Sequence, residues 1–150
     1  MCWTTRQTPI KQTADKDITV YKIMTITLIG EIRSMFFNDT VWKVGEVKTL
    51  CGSIIPYDKG VYASHKFVID LGFHSFADKP YKKLKPHYQY RNYWDIENWI
   101  VGKRTVLDAR DHERVFECVI PKGATYYQNE IGEIVSDKIK LVRQVDETIE

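Results

Sequence analysis

The chain has 150 residues, 22 Lys and Arg against 20 Asp and Glu, 43% apolar residues and 13% aromatic ones. That is too apolar and too aromatic for a disordered chain, and no window approaches the roughly 18 apolar residues of a membrane-spanning helix. No Gly-X-Y period, heptad run or low-complexity tract is present. The length points to a single domain, residues 1–150, with a real core.

Residues 1–16 are polar, carry Pro9 and lack the apolar run of a signal peptide, so an irregular arm is expected. Cys2, Cys51 and Cys118 form an odd set without zinc-like or C-x-x-C spacing, which points to reduced thiols and a cytoplasmic setting. Cys2 would pair an amine with a thiol only after loss of Met1.

From Asp17 to Thr27 the chain alternates. Ile18, Val20, Lys22, Met24 and Ile26 share one face; Thr19, Tyr21, Ile23, Thr25 and Thr27 share the other. Period two with β-branched residues predicts a strand, and two partly apolar faces suit a central one. Val41–Val44 and Glu46–Leu50 are short strand-like runs parted by Gly45, and Ser53–Gly60 reads as a loop. Tyr62–Leu71 is apolar and partly β-branched, Gly72 breaks it, and Phe73–Phe76 follows at once.

Residues 79–104 differ in composition. Seven Lys and Arg stand against Asp95 and Glu97, a net +5, and six aromatics lie among them. After Pro86 the spacing of Tyr93, Ile96 and Ile100, with Trp99 beside them, predicts a helix that stops at Gly102. Arg114–Ile120 is the next strand, closed by the Pro121-Lys122-Gly123 turn. Ala124–Tyr127 and Glu133–Val135 are short strands around a turn at 128–132. Lys138–Gln144 alternates as a strand with one exposed face, and residues 145–150 read as a frayed acidic tail. The expected fold is α+β: six to eight short, mostly antiparallel strands with one or two helices.

Cations interleaved with rings suit a ligand that carries phosphate and a base. Lys82, Lys83, Lys85 and Arg91 would take phosphates; Tyr90, Tyr93 and Trp94 would stack; His74 and Lys122 would line the rim. The alternative is a helix with an aromatic core face and a solvated lysine face. Nucleic acid is disfavoured by the short basic stretch and the absence of RNA-recognition or zinc-finger signatures. No P-loop, Rossmann, nucleophile-elbow or H-E-x-x-H motif is present, and no catalytic residue, metal or cofactor is assigned. Cys118 alternates with Phe116 and Ile120 as a small buried hydrophobe would, and the acidic cluster Asp108–Glu113 reads as a solvated turn.

Several blocks occur in a fixed order: Met1-Cys2 with Thr4-Thr5, Asp17–Lys22, Gly72-Phe-His-Ser-Phe76, Cys118-x-Ile-Pro-Lys-Gly-x-x-Tyr-Tyr127, and Ser136-Asp137-x-Ile139. With them the chain resembles a family of small proteins, without an assigned reaction, from gut Bacteroides-type bacteria, their prophages and phages. The resemblance implies a phage or mobile-element setting in a bacterial cytoplasm. A fainter similarity, carried by Tyr21-Lys22, His74 and Glu133, is to ADP-ribosyltransferase-like folds. The expected function is binding and sequestration of a phosphate-bearing nucleotide-type ligand, such as a host defence signal, by a non-membrane protein that forms homo-oligomers. An NAD-consuming ADP-ribosyltransferase-like enzyme and a protein- or nucleic-acid-interaction module are the rivals.

Overall fold

The computed structural model describes residues 3–34, 40–58, 67–84, 97–102, 104–109 and 113–145. Among these there are sixteen strands and no helix: β1 (Trp3–Thr5), β2 (Gln12–Thr13), β3 (Ile18–Ile26), β4 (Ile32–Ser34), β5 (Val41–Trp42), β6 (Val47–Thr49), β7 (Tyr57–Asp58), β8 (Phe67–Ile69), β9 (Phe73–Phe76), β10 (Tyr81–Leu84), β11 (Glu97–Val101), β12 (Arg104–Ala109), β13 (Glu113–Ile120), β14 (Thr125–Gln128), β15 (Glu133–Ser136) and β16 (Lys138–Gln144).

The largest sheet follows the order β2-β14-β15-β9-β3-β13-β16-β6, with β4 on β3 and β5 on β4. As the alternation of Ile18–Ile26 predicts, β3 is central. It pairs with β13 over eight residues, from Ile18↔Ile120 to Thr25↔Glu113, and its other edge serves β9 and β4.

Chain connectivity requires this sheet to coil. Strands β15 and β16 are joined by Asp137 alone, yet β9, β3 and β13 lie between them in the sheet. At about 4.8 Å per strand a flat sheet would hold them roughly 19 Å apart. One intervening residue spans about 7 Å at most. A bulge between Glu117 and Cys118 in the β13–β16 ladder adds bend and twist where the sheet turns.

Coiling gives the sheet an inside. Val20 and Met24 of β3, Phe116, Cys118 and Ile120 of β13, Ile134 of β15, and Ile139 and Leu141 of β16 all face inward and are buried. Two small antiparallel sheets accompany the outer faces. Trp99 and Val101 of the β10-β11-β12 sheet pack with Ile23, Phe76 and Val115. Trp3 and Ile69 of the β1-β8-β7 sheet pack with Ile54, Tyr127 and Val135.

The expected α+β class is therefore corrected to an all-β fold. The helix predicted to end at Gly102 is contradicted where it can be followed, because Glu97–Val101 is a strand paired on both sides. The i, i+3, i+7 spacing of Tyr93, Ile96 and Ile100 competes with a period-two pattern that buries Trp99 and Val101, and short apolar runs satisfy both templates. The expected irregular arm also contains β1, whose Trp3 is 2% exposed and donates from Nε1 to Glu133 O at 2.8 Å. Glu113, placed in a solvated turn, is buried and accepts from Trp99 Nε1 at 2.7 Å. Val145, assigned to the frayed tail, donates its N–H to Val115 O at 3.0 Å.

Gly72 sits where β9 meets the β15 ladder at φ +137°. A Cβ there would clash with Val135 Cγ2 and lie 3.3 Å from Ser136 O. Gly72→Ala is expected to destabilise the fold by about 2–3 kcal/mol, from left-handed strain plus overpacking. A urea melt that superimposes on wild type would contradict this packing.

Candidate functional site

The inner face of β3 reads Val20, Lys22, Met24. Val20 and Met24 are fully buried, and alternation carries Lys22 into the same interior, where it is 8% exposed. Its Nζ donates to His74 O at 2.6 Å and lies 5.5 Å from the centre of the Trp42 ring. Lys48 approaches the same ring. It pairs with the inward-facing Ile139, so its side chain shares that face, and its Nζ is 5.2 Å from the indole centre. Phe73 meets Trp42 edge-on at 5.6 Å. Two ammonium groups thus converge on one buried indole. Among the described residues neither has a carboxylate within ion-pair distance.

Two hydroxyls join Lys22 on the inside. Ser75 pairs with Ile134 and Ser136 with Phe73, so both follow the inward register. Ser75 is 2% exposed and Ser136 fully buried, and among the described residues neither Oγ has a hydrogen-bond partner. An unsatisfied buried hydroxyl costs about 1–3 kcal/mol. Tyr21 pairs with Phe76, which sets Lys22 beside Ser75 in the next register of β3 and β9.

Burial lowers the Lys22 pKa from its ordinary 10.5 to about 8, only partly countered by the neighbouring Cys118. Burial also pushes the Cys118 thiol up to about 12, so it stays protonated at neutral pH. Its Sγ donates to Phe116 O at 3.5 Å. His74 is lowered to about 4, first by desolvation and then by the Lys22 charge, against the pull of the Asp70 carbonyl 3.3 Å from Nε2. A neutral imidazole stands over the outer side of the strand whose carbonyl holds Lys22.

The nine residues expected to bind a ligand are only partly placed. Lys85, Tyr90, Arg91, Tyr93 and Trp94 lie outside the described residues. Lys82 and Lys83 fall on β10, opposite Trp99 and Asn98 of β11. Trp99, from the same basic stretch, is fully buried between sheet layers and offers no stacking face to a ligand. His74 is on β9. Lys122 is exposed in the β13–β14 turn, where its backbone N–H donates to Asp17 Oδ1 at 2.9 Å. Glu133, one of the residues carrying the fainter transferase similarity, belongs to a hairpin clamp: Asn129 Nδ2 donates to the Glu133 carboxylate at 3.1 Å and the Glu133 backbone N–H donates to Asn129 Oδ1 at 2.9 Å.

Trp42 and Lys48 were not singled out from the sequence, Ser75 and Ser136 only as members of the ordered blocks, and Lys22 only as the basic residue of the first strand. The available signal was a lysine occupying a core slot between Val20 and Met24. Among the described residues, no three His, Cys, Asp or Glu side chains group as metal ligands. No helix among them is long and apolar enough to cross a membrane.

Because Lys22 binds its proton more weakly folded than unfolded, its burial penalty is fully present below pH 8 and is relieved as pH rises from about 8 to 10.5. The stability of wild type relative to Lys22→Met should therefore rise by up to about 3 kcal/mol across that window. Paired urea melts at both ends measure it, and a flat difference would contradict the burial of this amine. No family model, curated protein or solved structure matches the chain.

Proposed function

We propose that the chain is a small binding protein that sequesters an anionic, phosphate-bearing ligand of nucleotide type at the Trp42 end of the coiled sheet. Lys48 is its outer contact and Lys22 its inner one. The observation that carries this is the approach of both ammonium groups to one indole, at 5.5 and 5.2 Å, without a carboxylate among the described residues. The ring attracts each cation by about 1–2 kcal/mol but cannot neutralise either. An oxyanion between or above them would relieve their repulsion, and charge-assisted contacts in a half-dry site are strong. The nucleotide class rests on the cation-and-ring composition of residues 79–104, not on Trp42, whose ring is already covered. The free thiols of Cys51 and Cys118 suit a reducing, cytoplasmic setting.

The test is a low-salt thermal-shift panel of inorganic phosphate, mono-, di- and cyclic nucleotides and NAD. A ligand at one hundred times its dissociation constant should stabilise the fold by about 2.7 kcal/mol. Lys48→Gln should weaken that ligand by about tenfold or more, the loss of one charged hydrogen bond. No shift with any phosphate-bearing compound, or equal affinity in Lys48→Gln, would overturn the proposal.

A further inference from the structure

We infer that Lys22 is an imine-forming amine, and that the inside of the coiled sheet takes a small phosphorylated aldehyde or ketone whose carbonyl oxygen is received by Ser75 and Ser136. The inference rests on the anion site proposed above for its phosphate contact at Lys48, and it adds the chemistry of the inner end.

Three observations converge on it. Lys22 is 8% exposed and among the described residues is held by one acceptor, His74 O, which leaves its amine hydrogen-bonding capacity to spare. Ser75 and Ser136, both at least nine-tenths buried, are without a hydrogen-bond partner among the described residues and share the inner face, and register sets Ser75 next to Lys22. Buried polar groups left without partners call for an occupant that supplies them. Finally, attack needs a lone pair. An amine of pKa about 8 is neutral in roughly one molecule in ten at pH 7, about 300-fold more than an ordinary lysine at 10.5. Desolvation in an apolar setting is a recognised route to a nucleophilic lysine.

The step balances without an oxidant or reductant. The Nζ lone pair bonds to the carbonyl carbon, and the carbonyl oxygen takes a proton to give a carbinolamine. Its C–O bond then breaks and C=N forms, and the oxygen leaves as water with two protons. The seryl hydroxyls can donate to that oxygen at each stage. Around Lys22, Cys118 stays a thiol below about 12 and His74, on the outer side of β9, stays neutral above about 4, while the Lys48 Nζ lies 5.2 Å from the centre of the same Trp42 ring. The phosphate of such a ligand has its second ionisation at about 6, so a pH profile between 7 and 9 reports Lys22 itself.

The experiment treats the full chain with glycolaldehyde phosphate and cyanoborohydride, with glycolaldehyde as the phosphate-free counterpart, and maps adducts by peptide mass spectrometry. Lys22 is expected to be labelled ahead of the exposed Lys43 and of Lys138, and the phosphorylated probe should be favoured over the plain aldehyde by about tenfold. In wild type, the labelling rate at Lys22 should rise with pH and level off near 8, while that of surface lysines keeps rising. Lys22→Arg should remove the adduct, and Ser75→Ala should slow it several-fold. Labelling that follows exposure, or a Lys22 rate without a plateau near 8, overturns the inference. If phosphate still shifts the melting temperature in that case, the anion site stands and only the imine chemistry falls; if neither occurs, both fall.

Discussion

The link of one residue between β15 and β16 governs the rest of the structure. Asp137 must join two strands that a flat sheet would hold far apart, so the sheet coils and gains an inside. Its own hydrogen bonds secure the corner. The Asp137 N–H donates to Thr125 O at 3.0 Å, its carboxylate accepts from Thr125 N at 2.9 Å, and its carbonyl accepts from Leu50 N at 2.8 Å. Strand β14 and the β6 segment are thereby tied to the same point. Every inward-facing residue of β3, β13, β15 and β16, Lys22 included, owes its burial to that closure.

Closure also explains why the interior is not uniformly apolar. A hydrophobic residue at position 22 would continue the Val20–Met24 face without penalty, whereas an amine there is desolvated. Two serines without partners among the described residues add to the cost. Polar groups that local packing does not require are usual where a protein binds or reacts, since function tolerates what stability alone would remove. The carbonyl of His74 and the face of Trp42 make the amine tolerable, and Lys48 brings a second charge to the same ring.

The outer faces follow a different logic. A coiled sheet with apolar residues on both sides needs covering layers, and the two three-stranded sheets provide them through Trp99 and Trp3. This is where one indole of the basic, aromatic stretch is spent. Trp99 is a core residue hydrogen-bonded to a buried Glu113, not part of a ligand wall.

Period-two patterns made β3, β13 and β16 legible in the sequence, and turn chemistry marked the Pro121–Gly123 connection. Strands β1, β2 and β7 of two or three residues were not legible, because so few side chains carry no period. The strand at Glu97–Val101 was misread as helix because its apolar spacing fits both templates and only pairing with β10 and β12 decides between them. Of the site, Lys22 was legible only as sharing a face with Val20 and Met24, and Cys118 as a buried hydrophobe. Lys48, Trp42, Ser75 and Ser136 were not, since they come from β6, β5, β9 and β15 and meet only when the sheet closes. By itself the sequence determined which residues alternate and hence which share a face. Only the tertiary structure decided which face became the inside, because that choice depends on long-range pairing and on a corner too short to let the sheet lie flat.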